Sequence, residues 1–239
     1  MHRFFTTDIQ QNHAFIHGDD VKHIVKVLRL KVGDAIQICD GAGRECEAHI
    51  AMIDHDIVQA DTGVWTNCSS EPNTKITLFQ CLPKAGKMET IIQKCVELGA
   101  CAFTPVQSER CVVVLKPPYA GRIERWQRVS EEAAKQSRRG VIPMVAVPVS
   151  LEDLCFGSFD AAYVAYENEK TVSLKGALRT SQSARTLAII IGPEGGFSDR
   201  EISLLESKGV KSVSLGPRIL RTETAGMAML AQILYEVEL

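Results

Sequence analysis

Two short segments in the last quarter of the chain hold the residues best suited by type and spacing to chemistry. The first is Ile191-Gly192-Pro193-Glu194-Gly195-Gly196-Phe197-Ser198, and the second runs Leu215-Gly216-Pro217-Arg218-Ile219-Leu220-Arg221-Thr222-Glu223-Thr224. Three glycines within five residues let a backbone take positive φ and approach a ligand closely. Two arginines and a glutamate within six residues are costly in a fold unless they are used or solvated. Neither segment matches G-x-G-x-x-G or G-x-x-x-x-G-K-[ST], so nicotinamide and P-loop nucleotide readings lose their motif support. By composition alone, two tight turns remain an equal reading. All six histidines lie at or before His55. A catalytic second half therefore has no imidazole of its own, and no G-x-S-x-G elbow marks a serine nucleophile.

A second feature is basic. Between residues 116 and 140, Lys116, Arg122, Arg125, Arg128, Lys135, Arg138 and Arg139 face only Glu124, Glu131 and Glu132. Arg122, Arg125 and Arg128 recur every three residues, which places them along one side of a helix. Such a stripe suits nucleic-acid phosphates; a solvated helix face with internal Glu–Arg pairs is the competing reading. Trp126 is the one aromatic among these arginines, not a repeated interleaving, so base stacking is not signalled. His23, on an expected short helix, reads as structural or RNA-facing rather than catalytic. The eight cysteines include no C-x-x-C pair, so no metal site is expected and the thiols read as reduced, small core residues.

These features need elements to position them. The 239 residues, 45% hydrophobic and 23% charged, suit one large or two small folded domains. The formal charge of −2 excludes an evenly basic surface but allows a local patch. No apolar run is long enough to cross a bilayer and the N-terminus lacks an apolar signal core, which leads to the expectation of a cytoplasmic protein without membrane partners. Residues 1–70 are net acidic and the remainder net basic, and the polar stretch 67–74 reads as a linker. The first part, 1–70, reads as a compact β-barrel. It has a short helix over 21–30, then a hairpin with Ile36 and Ile38 on one face, the turn Asp40-Gly41-Ala42-Gly43, and Cys46, Ala48, Ile50 and Met52 alternating.

The second part, 75–239, alternates strands and helices, which predicts an α/β domain with a largely parallel sheet. Strands are expected at 76–82, 103–106, 111–115, 161–166, 187–191 and 213–215. Helices are expected at 88–98 with Gly99 as stop, 121–137, 171–179, from a Ser198–Glu201 capping box to Gly209, and 223–237. The last helix carries Ala225, Met227, Ala228, Met229, Leu230, Ala231, Ile233 and Leu234, apolar nearly all round. It belongs in the core, in a subunit interface, or in both. In such sheets ligands bind beyond the carboxyl ends of strands, where the two special segments fall.

Taken together, Gly192 to Ser198 and Leu215 to Ala225 resemble the ribosomal RNA small-subunit methyltransferase E family of the SPOUT superfamily. Lys87-Met88-Glu89, Glu97-Leu98-Gly99, Glu109-Arg110, Arg125-Trp126, Glu132-Ala133-Ala134-Lys135-Gln136-Ser137 and the run His23 to Asp34 support the likeness, which extends from about residue 2 to 235. Lys84-Ala85-Gly86-Lys87 departs from a Lys-Gly-Asp run, and Ser137-Arg138-Arg139 from a Ser-Gly-Arg pattern. The resemblance implies a PUA-like RNA-binding barrel followed by a SPOUT domain with a trefoil knot. It implies S-adenosylmethionine-dependent methylation of the N3 position of one uridine in 16S rRNA of the small ribosomal subunit, by a homodimer.

It further implies a donor cradle of Gly192, Pro193, Glu194, Gly195, Gly196, Leu215, Gly216, Ile219, Leu220, Arg221 and Thr222. The donor carries its own leaving group, so neither a metal nor a covalent enzyme intermediate is needed. Arg221 is the expected stabiliser of charge on the acceptor ring, Arg218 the second candidate, and Glu223 or Glu194 the proton acceptor or the anchor of an arginine. Candidate RNA contacts are Arg3, Lys26, Arg29, Arg122, Arg125, Arg128, Arg138 and Arg139. Two further readings stay open: an RNA-binding module without catalysis, and an α/β enzyme whose Arg218 and Arg221 bind a phosphorylated small molecule.

Overall fold

The computed structural model describes residues 1–84, 86–114, 116–181 and 183–238. Ala85 of the Lys84–Lys87 run, Leu115 of the expected strand at 111–115, and Leu239 lie outside the described residues. The chain divides into two compact units, one formed by Met1–Glu71 with Ala134–Ile142 and the other by Pro72–Ala133 with Pro143–Leu239.

The first unit is a seven-stranded sheet. Its strands are β1 (Arg3–Phe5), β2 (Ile9–Gln10), β3 (His13–His17), β4 (Ala35–Cys39), β5 (Arg44–Ile53), β6 (Ile57–Thr62) and β7 (Thr66–Asn67), in the order β1-β4-β5-β6-β3-β2 with β7 on β5. Since β1 leads into β2 through Thr6, whose hydroxyl donates to Phe15 O, the two ends of that order meet and the sheet curls on itself. Alternation places Ile36, Ile38, Cys46, Ala48 and Ile50 in one apolar core with Phe4, Ile16 and Ile24. Met52 departs from its expected place and is exposed, because the β5–β6 register slips between Ile50 and Met52 and turns the following side chains over. The expected helix is a short α1 (Asp19–Lys22) continuing into π-helical turns over His23–Leu28, closed by Arg29 in left-handed geometry. His23, Lys26 and Arg29 are exposed on it, beside exposed Val25 and Val27.

Two of the expected RNA contacts are engaged inside this unit instead. Arg139 is only 3% exposed. Its Nε and Nη2 donate to Glu71 at 3.0 and 2.7 Å, and Glu71 Oε1 also accepts from the backbone of Gly140 and Val141. Arg3 donates to Arg139 O and the Cys39 thiol and pairs with Glu45 at 2.7 Å. A guanidinium held inside the unit against a carboxylate is not presented to a phosphate. Gly140 packs so closely that a Cβ there would stand 2.5 Å from Cys68 Cβ. Arg138 stays exposed at φ 60°, a backbone region that favours the glycine of the Ser-Gly-Arg pattern.

The Glu71–Arg139 pair makes a pH prediction. Burial opposes ionisation of Glu71, but Arg139 and two backbone N–H groups outweigh it and hold the carboxyl below its ordinary range. A depressed folded-state pKa contributes stability above the unfolded pKa and loses it as pH falls through the folded one. The parent protein should therefore lose thermal stability on acidification below about pH 4. Glu71→Gln should lie about 3 kcal/mol lower at pH 7, because the buried Arg139 loses its compensating carboxylate charge, with a flatter acid dependence in calorimetric melts.

The second unit is a parallel sheet between helices. In chain order it comprises β8 (Lys75–Cys81), α2 (Lys87–Glu97), β9 (Ala102–Gln107), α3 (Ala120–Gln136), β10 (Met144–Val145), β11 (Val149–Ser150), β12 (Ala161–Ala165), α4 (Leu174–Arg179), β13 (Thr186–Ile191), α5 (Asp199–Ser207), β14 (Lys211–Val213) and α6 (Thr222–Glu238). The strand order is β10-β9-β8-β13-β12-β14, with β11 also on β9. No strand forms at 111–114: β9 is flanked by β8 and by β10 and β11, so its edges are taken and Val112 and Val114 are exposed. The α5 capping box is present, with Ser198 N donating to Glu201 and Glu201 N to Ser198 Oγ. Helix α4 starts later than expected because Glu169 ties Thr171 and Val172 into a turn and Ser173 Oγ caps the helix by accepting from Gly176 N. On α3, Trp126 and Ser130 are buried while Arg122, Arg125 and Arg128 are exposed, Arg125 pairing with Glu89 at 3.0 Å. On α6, Ala225, Met229, Leu230 and Ile233 are buried, but Ala231 and Tyr235 are exposed, so the helix is one-sided.

Candidate active site

Strand order explains why the two glycine- and arginine-bearing segments meet. The chain builds β8 and β9 toward one edge, then returns through β12 and inserts β13 beside β8, so the order reverses between β8 and β13. The carboxyl ends of β13, β12 and β14 lie side by side, and the segments 192–198, 166–170 and 214–221 leave from them. They enclose a cavity of about 450 Å³, within the range of small-molecule sites.

The walls are held by side chains from three directions. Thr222, the first residue of α6, donates through Oγ1 to Gly192 O at 2.6 Å and accepts from the wholly buried Gln80 Nε2 at 2.9 Å. This hydroxyl ties the end of β8, the loop after β13 and the start of α6 into one piece. Its hydroxyl hydrogen is thereby committed within the wall, so Thr222 clamps the loop it lines. Lys87, at the start of α2, stands 3.0 Å from Glu194 Oε1 and 3.1 Å from Glu223 Oε2. Its ammonium is pushed up by Glu194 first and Glu223 second. Burial opposes the Glu194 charge, yet Lys87 and the backbone N–H groups of Glu194 and Lys84 hold that carboxyl below its ordinary range. Glu223 is lowered by its own backbone N–H and then by Lys87. Both expected proton acceptors are thus held in the carboxylate form beside one shared ammonium.

Of the expected cradle, Gly192, Pro193, Glu194, Gly196, Leu215, Gly216, Ile219, Leu220, Arg221 and Thr222 line the cavity, as does Arg218. Gly195 does not. Its missing side chain faces Arg110, whose Cβ is 3.1 Å from where a Cβ would be, and Arg110 Nη1 donates to Gly195 O. A side chain there would press on Arg110, outside the residues that line the cavity. Gly216 opens onto free space, with nothing within 4 Å of its Cβ position. Arg218 and Arg221 are exposed at the wall. Sequence reasoning missed Lys87, Tyr166 and Glu167 as lining residues. Lys87 was legible only as part of a resembling segment, and Tyr166 and Glu167 carry no motif. Among the described residues, no His/Cys/Asp/Glu group is arranged to hold a metal ion and no helix is long and apolar enough to cross a membrane.

This fold and site are those of an RNA methyltransferase domain accompanied by a PUA domain: family profiles with those descriptions match residues 70–234 and 16–62. The ribosomal RNA small subunit methyltransferase E of Bacillus subtilis is 39% identical over 94% of this chain and 90% of its own length. That of Synechocystis is 38% identical over 88% of this chain and 69% of its own. A crystal structure of the Neisseria gonorrhoeae ribosomal RNA small subunit methyltransferase E bound to S-adenosyl methionine superimposes with a TM-score of 0.86 at 29% identity, covering 98% of this chain and 97% of that one. The chain belongs to the ribosomal RNA small subunit methyltransferase E family, and it is a methyltransferase.

Lys87→Met removes the cation between Glu194 and Glu223. Two facing carboxylates without it titrate at higher pH, since each disfavours the other's charge. The acidic limb of the methylation rate profile should move toward neutral pH, so that activity at pH 6 falls more than at pH 8. An unshifted limb would separate Lys87 from the ionisation of the site.

Proposed function

We propose that this protein methylates the N3 nitrogen of a uridine in 16S rRNA of the small ribosomal subunit, with S-adenosylmethionine as methyl donor, in the cytoplasm. The observation that carries this reading is the cavity beyond β12, β13 and β14 with Arg221 at its wall, in a chain of this family. The cavity fits a nucleoside donor: the 192–196 and 214–221 segments offer backbone N–H and C=O groups, and Leu215, Ile219 and Leu220 offer apolar cover for a base. Bound there, the donor supplies a methyl group on a positively charged sulfur. The chain's part is to hold the acceptor in line, which accounts for much of the rate, and to stabilise charge spreading onto the uracil oxygens as N3 passes its proton to Glu223 or Glu194. Arg221 takes that second role and Arg218 supports it. Lys26, Arg29, Arg122, Arg125, Arg128 and Arg138, all exposed, supply phosphate contacts.

Two structural features complete the proposal. The first is the trefoil knot. Strand β14 lies at the sheet edge outside β12, yet α6 packs back on β8, β13 and α2, and Thr222 is tied to Gly192. The second is a homodimer formed through the exposed side of α6, where Tyr235, 69% exposed, adjoins an apolar recess with Leu174 and Leu178. Light scattering at micromolar concentration should give twice the chain mass, and Tyr235→Glu should weaken association about 30-fold or more, the effect expected of a central aromatic anchor.

The test of function is mass spectrometry of rRNA nucleosides from cells lacking the protein, with loss of 3-methyluridine and its return on complementation as the expected result. Unchanged 3-methyluridine rejects the uridine-N3 assignment. Calorimetric titration with S-adenosylmethionine, against inorganic phosphate, separates donor binding from a phosphate site at Arg218 and Arg221.

A further inference from the structure

We infer that Glu167 is the carboxylate that binds the ribose hydroxyls of the methyl donor, an assignment that rests on the donor site proposed above. Three observations point to it. Glu167 lines the cavity from the loop that follows β12. Its carboxylate lies against the backbone of Gly196: a Cβ there would clash with Glu167 Oε1, and Gly196 holds φ at +64°. The bare backbone at 196 thus makes room for this carboxylate. Among the described residues, no hydrogen bond or ion pair engages it, unlike Glu194 and Glu223, which share Lys87.

Position then selects the ligand group. Strand β12 lies between β13 and β14, so Glu167 stands between the two loops that enclose the cavity. Apolar Leu215, Ile219 and Leu220 line the side of the β14 loop and suit a base. The middle of the ligand, opposite Glu167, is then its ribose. A vicinal diol can donate two O–H hydrogen bonds to one carboxylate, the same chemistry by which acidic residues hold ribose in other nucleotide folds.

The experiment is calorimetric titration of the full chain and of Glu167→Ala and Glu167→Gln with three probes: S-adenosylhomocysteine, 5′-deoxy-5′-methylthioadenosine, which keeps the diol but lacks the amino-acid end, and 2′,3′-dideoxyadenosine, which lacks the diol. Both variants are expected to lose about 10- to 100-fold in affinity for the first two probes, by similar factors, as for hydrogen bonds to a charged group. For the dideoxy probe they should match the parent. Loss confined to S-adenosylhomocysteine would make Glu167 an ammonium contact, equal loss on the dideoxy probe would make it a purely structural residue, and no loss would remove it from the site. Each of these overturns the assignment. If the parent binds none of the probes, the donor site itself fails. If the parent binds and the variants bind equally well, only the role of Glu167 fails. Should the alanine variant melt below assay temperature, the isosteric glutamine variant decides.

Discussion

Arg221→Ala is expected to bind S-adenosylmethionine almost as tightly as the parent while its single-turnover methylation rate falls at least about 100-fold. The backbone of Arg221 is well anchored: its carbonyl accepts from Thr224 N and Ala225 N at 2.9 Å, opening α6, and its neighbour Thr222 is clamped to Gly192. Its guanidinium is exposed at the cavity wall, where an acceptor base must enter. On the proposed reaction, negative charge moves to the carbonyl oxygens flanking the uridine N3, and a planar group with parallel N–H donors stabilises that charge more than the neutral ground state. Such an interaction lowers the rate when removed and leaves donor affinity in place. Arg221→Lys should recover little, since a point ammonium cannot copy the fork of donors. Arg218→Ala, in the same loop, should cost less. Equal losses of donor affinity and rate would make Arg221 a binding residue.

Gly196→Val is expected to weaken donor binding by more than about 100-fold, while Gly195→Val leaves most of it. The two adjacent glycines have different tasks. At Gly196 the backbone is left-handed, a region a β-branched residue strongly resists, at a cost of about 1–3 kcal/mol. Its Cβ would also clash with the Glu167 carboxylate and force it to move. Both effects reshape the wall of the ligand space. At Gly195 the new side chain meets Arg110 on the far side of the loop and disturbs the Arg110–Gly195 hydrogen bond. Titration with S-adenosylhomocysteine, alongside melting curves, checks both. A Gly195 variant as impaired as the Gly196 variant would show that the loop moves as one body and that Gly195 packing matters as much as cavity volume.

How much was legible in the residues depends on the range of the forces involved. Period-two alternation in 35–50 and helical spacing in 88–96 located elements correctly, because burial on one face is written into local order. The capping box at Ser198 is likewise a contact between residues three apart. Local pattern failed where a distant partner decides. Residues 111–114 read as a strand but find no open sheet edge. Met52 follows the alternation but a register slip turns it outward. Arg3 and Arg139 read as surface cations, and Glu45 and Glu71, each tens of positions away, draw them inside.

The amino-acid order alone pointed to the parallel α/β character of the second part and to the two segments that line the cavity, but not to 134–142 joining the first unit. The two legible features follow from residues near one another in the chain or from the types a segment contains. The division of labour inside the site came only with the tertiary structure. Strand insertion beside β8 brings 166–170, 192–198 and 214–221 to one place, and that proximity makes Thr222 a clamp, Lys87 a bridge between two carboxylates, and Glu167 a ligand group. Hydrogen bonds and ion pairs act over a few ångströms of space, whatever the separation along the chain, and a strand order that reverses is what turns remote residues into neighbours.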